Sequence, residues 1–444
     1  MKLFPVVCCL LLFACSKPGD PADPDPGPGP GPGPGPDNGN KELTITSVSP
    51  ESAEAGILVI KGTGFNATAS QNLVSIGPHT TVVENATTTQ LDITMPASLP
   101  QGDHDITIRA NSKTVTKTKA FHRIGWLVSN FAGTGVWDQT DGPAATASFR
   151  WPSGLIMDNA GNLFVTDLHK IRKITPQGVV STVAGGNASG FRDGDAANAR
   201  FNTLNALVMD ANRNIYVADE MNHVIRRISA TGVVSTVAGK SEEFGYVDGI
   251  GTDARFAMPY GLALNAGGTH LYVGDHMNHR IRRIELANSK VTTVAGDGQN
   301  AHRDGNGLTA GIPSPGGITF DSDGNLYIAE KGAGYVRKMT PNGDVTTIGG
   351  NLSANTAPTN IVIDKDKNTY VAYSGTAKIK KYTPAGVETN FAGNNFGTGE
   401  EDGDAQVIFF QRPEGMVLQQ DAQGKMTFYV CDALRKKIKK ITKE

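Results

Sequence analysis

One line of text ending in Ala-Gly or Gly-Gly recurs six times along this chain, and its first copy stands ahead of the lines it belongs with. The copies are Phe131-Ala132-Gly133, Val183-Ala184-Gly185, Val237-Ala238-Gly239, Val294-Ala295-Gly296, Ile348-Gly349-Gly350 and Phe391-Ala392-Gly393. Each unit also holds a strand-like run with a central aromatic, such as Ile215-Tyr216-Val217-Ala218-Asp219, and a basic run, such as Ile225-Arg226-Arg227-Ile228. No Ala-Gly line follows the last basic run, Ile438-Lys439-Lys440-Ile441. The line absent there is the one found at the front. Such a permutation predicts a closed ring in which the N-terminal strand completes the final unit.

Composition agrees with an all-β chain. Glycine is abundant at 53 residues, as frequent tight turns between short strands require. Long stripes with a helical period are absent. Charged residues make up 19% and the formal net charge is −2, a balance that argues against a nucleic-acid partner, which needs a basic face. Of Cys8, Cys9, Cys15 and Cys431, only Cys431 falls in the folded part, so no disulfide forms there and Cys431 reads as a small core residue.

The N-terminus reads as an address. Lys2 precedes an apolar run from Leu3 to Ala14, too short to span a bilayer. Its end, Leu12-Phe13-Ala14-Cys15-Ser16, resembles a bacterial lipobox. Residues 1–14 are therefore expected to be a lipoprotein signal peptide, with Cys15 lipidated and anchoring the protein to a membrane through its lipid. Residues 15–40 form a Pro/Gly-rich linker, extended because proline fixes φ and removes donors. About 20 such residues at roughly 3.1 Å each span on the order of 60 Å. Asp20, Asp23 and Asp25 resemble the acidic export tag of Bacteroidetes lipoproteins, which implies an outer-membrane, cell-surface location.

Residues 41–123 lack the repeat. Alternating runs such as Ile57-Leu58-Val59-Ile60-Lys61 and Asp105-Ile106-Thr107-Ile108-Arg109 predict a small β-sandwich. Ser47-Val48-Ser49-Pro50, Gly62-Thr63-Gly64-Phe65 and Pro100-Gln101-Gly102 make the segment resemble an IPT/TIG immunoglobulin-like domain, which implies a stalk and no chemistry of its own.

From residue 127 to 444 the Ala-Gly lines recur every 43 to 57 residues, the period of a four-stranded propeller blade. Strand a follows a Pro-x-Gly turn, strand b carries the aromatic, strand c is basic, and strand d is the Ala-Gly line. Asp-Gly-Asn turns such as Asp321-Ser322-Asp323-Gly324-Asn325 join a to b. Asp219-Glu220-Met221-Asn222-His223 and Asp275-His276-Met277-Asn278-His279 then make the segment resemble the NHL-repeat β-propellers. The full expectation is a six-bladed propeller preceded by an immunoglobulin-like sandwich, similar to TIG-plus-NHL lipoproteins of Bacteroidetes.

Chemistry is expected on the face where the d–a and b–c loops emerge. By alignment the positions between Pro and Gly there are Ser153, Asn205, Tyr260, Gly316, Thr359 and Glu414, with one carboxylate and no histidine. A hydrolytic metal needs converging imidazoles or carboxylates, so no metal site is expected at the channel mouth. Asp193/Asp195 and Asp402/Asp404 in the recurring Asp-Gly loops offer paired oxygens for Ca2+, although turn chemistry explains them more simply. Trp137, Trp151, Phe191, Tyr246, Tyr260 and Phe396, with Arg192, Asn205, His302, Arg412 and Glu414, are candidate contacts to a glycan or peptide, since flat rings pack on sugar C–H faces. The basic c strands read as solvated or paired with strand-b aspartates. The functional expectation is non-catalytic binding of an extracellular glycan, with outer-membrane transporters as partners. A sugar or lactone hydrolase centred on Glu414 and a protein-interaction scaffold are the alternatives.

Overall fold

The computed structural model describes residues 41–96, 99–350, 356–394 and 402–443. The expected signal peptide, Cys15, the linker and Phe396 lie outside the described residues.

The N-terminal domain is a sandwich. One sheet orders Thr44–Ser49, Ile57–Thr63, Gln90–Thr94 and Val83–Ala86; the other orders Ser52–Ala53, Lys113–Arg123, Gly102–Ala110, Leu73–Ile76 and His79–Thr81. The period-two pattern decides which side is buried. Leu58 and Ile60 point into the core with Val74, Ile76, Leu91, Ile93, Ile106 and Ile108, all fully buried.

Six further sheets of four long strands follow among the described residues. Blade one is Pro152–Met157, Leu163–Asp167, Lys170–Ile174 and Val179–Ala184, lettered a to d from the axis outward. Blade two is Leu204–Met209, Ile215–Asp219, Val224–Ile228 and Val233–Ala238, and blade three is Pro259–Leu264, His270–Asp275, Arg280–Glu285 and Lys290–Ala295. Blade four is Pro315–Phe320, Leu326–Glu330, Tyr335–Met339 and Asp344–Gly350, and blade five is Pro358–Ile363, Thr369–Tyr373, Lys378–Tyr382 and Glu388–Ala392. Blade six takes Pro413–Gln420, Met426–Asp432 and Lys437–Lys443 from the end of the chain and Trp126–Ala132 from the front, with Val128 opposite Ile441. Each a strand packs on the next, and that of blade six returns to that of blade one. The N-terminal strand thus closes the ring.

The repeated text has physical causes. The glycine ending each d strand adopts positive φ, and a Cβ at Gly185 would sit 2.4 Å from the carbonyl of His169. In the a–b turns the Asp158 carboxylate accepts from the backbone N–H of Ala160 and Asn162, at 3.0 and 2.8 Å, an Asx turn that pins the hairpin. In the Asn-His pair, the Asn222 amide donates to the Gly190 carbonyl and to Asp219, both at 2.9 Å. The His223 ring accepts the N–H of Met258 in the next blade at 3.2 Å, and His279 accepts that of Ser314 at 3.0 Å.

The basic c strands divide by face. Arg172, Arg226, Arg282 and Arg337 are fully buried, so the reading of solvated charges fails for them, while pairing with the acid of strand b holds. Each also reaches an Asp-Gly loop. Arg226 donates to Asp219 at 2.8 Å and to Asp193 at 2.5 Å, and takes up the carbonyls of Arg192 and Arg200. Asp193 further accepts from the N–H of Thr236 at 3.0 Å. Asp141, Asp248 and Asp304 repeat the arrangement with Arg172, Arg282 and Arg337, and Asp402 does so with Lys439. The recurring aspartate is therefore the outer arm of a buried ionic latch that ties the d–a loop to its own blade in five of the six blades. Burial pushes the Asp219 and Asp275 carboxyls up to about 6 against the pull of Arg226 and Arg282.

Candidate functional site at the mouth of the central channel

The turns that open the a strands bring five side chains to one end of the axis. Ser153, Asn205, Tyr260, Thr359 and Glu414 ring this end with the backbone of Gly154, Gly317 and Gly415. The inner strands approach so closely that a Cβ on Gly415 would lie 2.1 Å from the carbonyl of Ser153 in blade one. The cavity left between them is about 20 Å³, room for a single water. A ligand can rest on this mouth but cannot enter the channel.

Five of the residues expected to contact a ligand come together here: Trp151, Asn205, Tyr260, Arg412 and Glu414. Glu414 is buried. It accepts from Arg412 Nε at 2.5 Å and from the Tyr260 hydroxyl at 2.9 Å. The Arg412 guanidinium lies 5.2 Å from the centre of the Trp151 ring and keeps about a third of its side chain exposed. Burial first, and the charge of Glu414 second, push the Tyr260 hydroxyl well above its ordinary range. The Tyr260 hydroxyl thus donates to Glu414.

A second ring of residues was not foreseen. The residue directly after the end of strand b, an acid in every blade but the fifth, is Leu168, Glu220, His276, Lys331, Ser374 and Ala433 in blades one to six. Three of them carry chemistry at the mouth. Glu220 accepts from the Asn205 amide at 2.5 Å, and burial raises its carboxyl. The His276 ring lies 5.8 Å from that of Tyr260 and its Nδ1 is 3.2 Å from the Pro315 carbonyl; burial, then the charge of Lys331, lowers it to about 4. Lys331 Nζ stands 4.3 Å above the Tyr260 ring centre. The signal that marks them is register: one step past each strand-b acid, where the residue type changes from blade to blade.

The other expected contacts lie elsewhere. Phe191, Tyr246 and His302 occupy one repeated position, two residues before the loop aspartate. Phe191 lies 4.7 Å from the buried guanidinium of Arg226, and Tyr246 lies 5.1 Å from that of Arg282. His302 stacks on Tyr335 at 3.9 Å and faces Glu330 at 2.7 Å. They lid the latches, with Phe191 and Tyr246 still 42% and 45% exposed. Trp137 is exposed in the first d–a loop, and Arg192 lines a groove between blades one and two. Asp193 and Asp402, expected among possible calcium ligands, hold Arg226 and Lys439, while Asp195 accepts from the Asn198 amide at 3.0 Å. Among the described residues no three His, Cys, Asp or Glu side chains converge as metal ligands would.

Residues 43–122 match the family model for the IPT/TIG domain. NHL repeat-containing protein 2 of Bos taurus is 33% identical over 161 residues, 33% of this chain and 22% of its own length. The chloroplastic protein SUPPRESSOR OF QUENCHING 1 of Arabidopsis thaliana is 29% identical over 307 residues, 67% of this chain and 25% of its own length. Residues 43–122 thus form an IPT/TIG domain, and the segment behind them is similar to NHL repeat-containing proteins. The chain spans only about a quarter of the length of those curated relatives. The whole two-domain fold is shared with an auxiliary nutrient binding protein from Bacteroides thetaiotaomicron, TM-score 0.57 at 19% identity over 91% of this chain and 98% of that one. A second auxiliary nutrient binding protein, from Bacteroides ovatus, gives a TM-score of 0.55 at 15% identity over the same 91%, and 98% of its own chain.

Proposed function

We propose that this TIG–NHL protein is a cell-surface lipoprotein, anchored through Cys15, whose propeller mouth binds an extracellular glycan without turning it over and passes it to an outer-membrane transporter. The observation that carries the reading is the mouth itself. One partly exposed indole, a guanidinium held over it, a tyrosine, and amide, carboxylate and ammonium groups converge above a channel closed to anything larger than water. Aromatic faces with a few fixed polar groups suit a sugar ring lying across the opening. Both carboxylates are already engaged, Glu414 by Arg412 and Tyr260 and Glu220 by Asn205, so they serve as orienting acceptors. The fold shared with two auxiliary nutrient binding proteins supports a binding role.

Affinity electrophoresis against a panel of polysaccharides tests this. The folded protein should be retarded by at least one of them, and Trp151→Ala should weaken that interaction about tenfold, ~1.4 kcal/mol. Folded protein retarded by none of the panel refutes the proposal. Turnover of a bound glycan that Glu414→Gln abolishes would replace it with the hydrolase.

A further inference from the structure

On the rim of the propeller, away from the mouth, a groove of about 590 Å³ runs between the outer strand of blade one and the d–a loop of blade two. Lys170, Arg192, Arg200, Asn187 and Asn198 line it. Its charge is unusual by comparison with its own sister blades. Arg192 and Arg200 face each other across a backbone bridge, Arg200 N–H donating to the Arg192 carbonyl at 3.1 Å. The same bridge joins Val247 to Arg255 in blade three and Arg303 to Gly311 in blade four. There the arginine is neutralised by an acid from the same loop: Arg255 by Glu243 at 2.7 Å, Arg303 by Asp297 at 2.5 Å.

Blade two doubles the arginine and drops the acid. Its loop reads Gly186-Asn187-Ala188-Ser189-Gly190 where blade three has Lys240-Ser241-Glu242-Glu243-Phe244-Gly245. Lys170 adds a third cation, 3.4 Å from the Asn187 amide oxygen. Among the described residues none of these three side chains forms an ion pair. The nearby acids are spent elsewhere. Asp195 caps Asn198, and Asp138, whose carboxyl is lowered mainly by a hydrogen bond from Thr140, feels Lys170 without bonding it. Like charges gathered without a counter-ion repel one another, and a chain of net charge −2 has no general surplus of cations to scatter.

We propose that this groove is a second binding site, taking an anionic stretch of polysaccharide through its carboxylate or sulfate groups. Guanidinium forks match those groups two N–H at a time, and the Asn187 and Asn198 amides suit hydroxyls. Phe191, exposed and adjacent to Arg192 in the chain, supplies a flat face at the rim. A concave polar trough fits an extended chain, whereas a bilayer surface needs a convex one.

The site is independent of the mouth, and calorimetric titration separates the two. Polygalacturonate, dextran sulfate and neutral dextran serve as probes, at about 0.1 M and about 1 M salt, where the screening length falls from ~10 Å to ~3 Å. The folded protein should bind at least one acidic polymer at low salt and lose that binding at high salt. Arg192→Ala with Arg200→Ala should weaken it at least tenfold, while Trp151→Ala leaves it unchanged. Three results would overturn the proposal: no affinity for either acidic polymer, equal affinity in the double variant, or arginine-dependent sedimentation with phosphatidylglycerol vesicles in place of polymer binding.

Discussion

Blades two and five occupy equivalent places in the ring and fill their wedges with opposite chemistry. In blade two, Arg226 is fully buried between Asp219 at the end of strand b and Asp193 in the d–a loop. In blade five the same three places hold Lys380, Tyr373 and a d–a segment whose sequence, 351–357, contains no Asp-Gly. Lys380 keeps 17% of its side chain exposed and turns outward to Glu388 at 2.5 Å. Tyr373 and Tyr382 join hydroxyls at 2.6 Å, and Tyr382 donates to Glu388 at 2.8 Å. Each wedge is thus filled and its central polar pair satisfied, whether by an ionic latch or by a tyrosine pair.

The two fillings should fail by different amounts. Arg226→Ala leaves Asp219 buried without its counter-ion and removes the donors to two loop carbonyls. It should cost about 3–5 kcal/mol in denaturant unfolding and release the Phe191 loop to protease. A loss below ~1 kcal/mol would mean that the latch is dispensable and the wedge is held by packing alone. Gly349→Ala sharpens the comparison from the other side. Blades one, two, three, five and six carry alanine at this step, as Ala184, Ala238, Ala295, Ala392 and Ala132, yet a Cβ on Gly349 would meet the Tyr382 ring at 2.5 Å. The substitution should cost about 1–3 kcal/mol, and Tyr382→Ile, the residue type of Ile228 and Ile284, should recover most of it in the double variant. Additive losses would show that the two residues do not share one space. The smallest effect belongs to Tyr373→Phe, which removes one hydroxyl of a pair whose other member still reaches Glu388. About 1 kcal/mol is too fine for a loop readout but within reach of a chemical-denaturation midpoint, and a change as large as that of Arg226→Ala would erase the contrast between the blades.

Much of the architecture could be read from the chain because its signals are local and repeated. The Ala-Gly line, the Asx turns and the strand-b acid each answer to geometry within a few residues, so five or six copies make the period visible. The displaced first copy located the closing strand, Trp126–Ala132, before any pairing with Lys437–Lys443 was known. Half of the mouth was legible for the same reason, since Asn205, Tyr260 and Glu414 sit at one step of one turn. Glu220, His276 and Lys331 escaped because they sit on a different strand, and only the fold brings the end of b beside the start of a.

Sequence alone therefore determined the order of the propeller's long strands and the permutation that closes the ring, because backbone turns and period-two burial are written residue by residue. Tertiary structure decided which charges are interior. The Arg-rich lines look like solvated edges until the loop aspartates of the same blade fold over them. It also decided why Gly349 replaces alanine, since the reason is a ring more than thirty residues away in the next blade. Burial and charge pairing are properties of neighbours in space, and no local pattern records who those neighbours are.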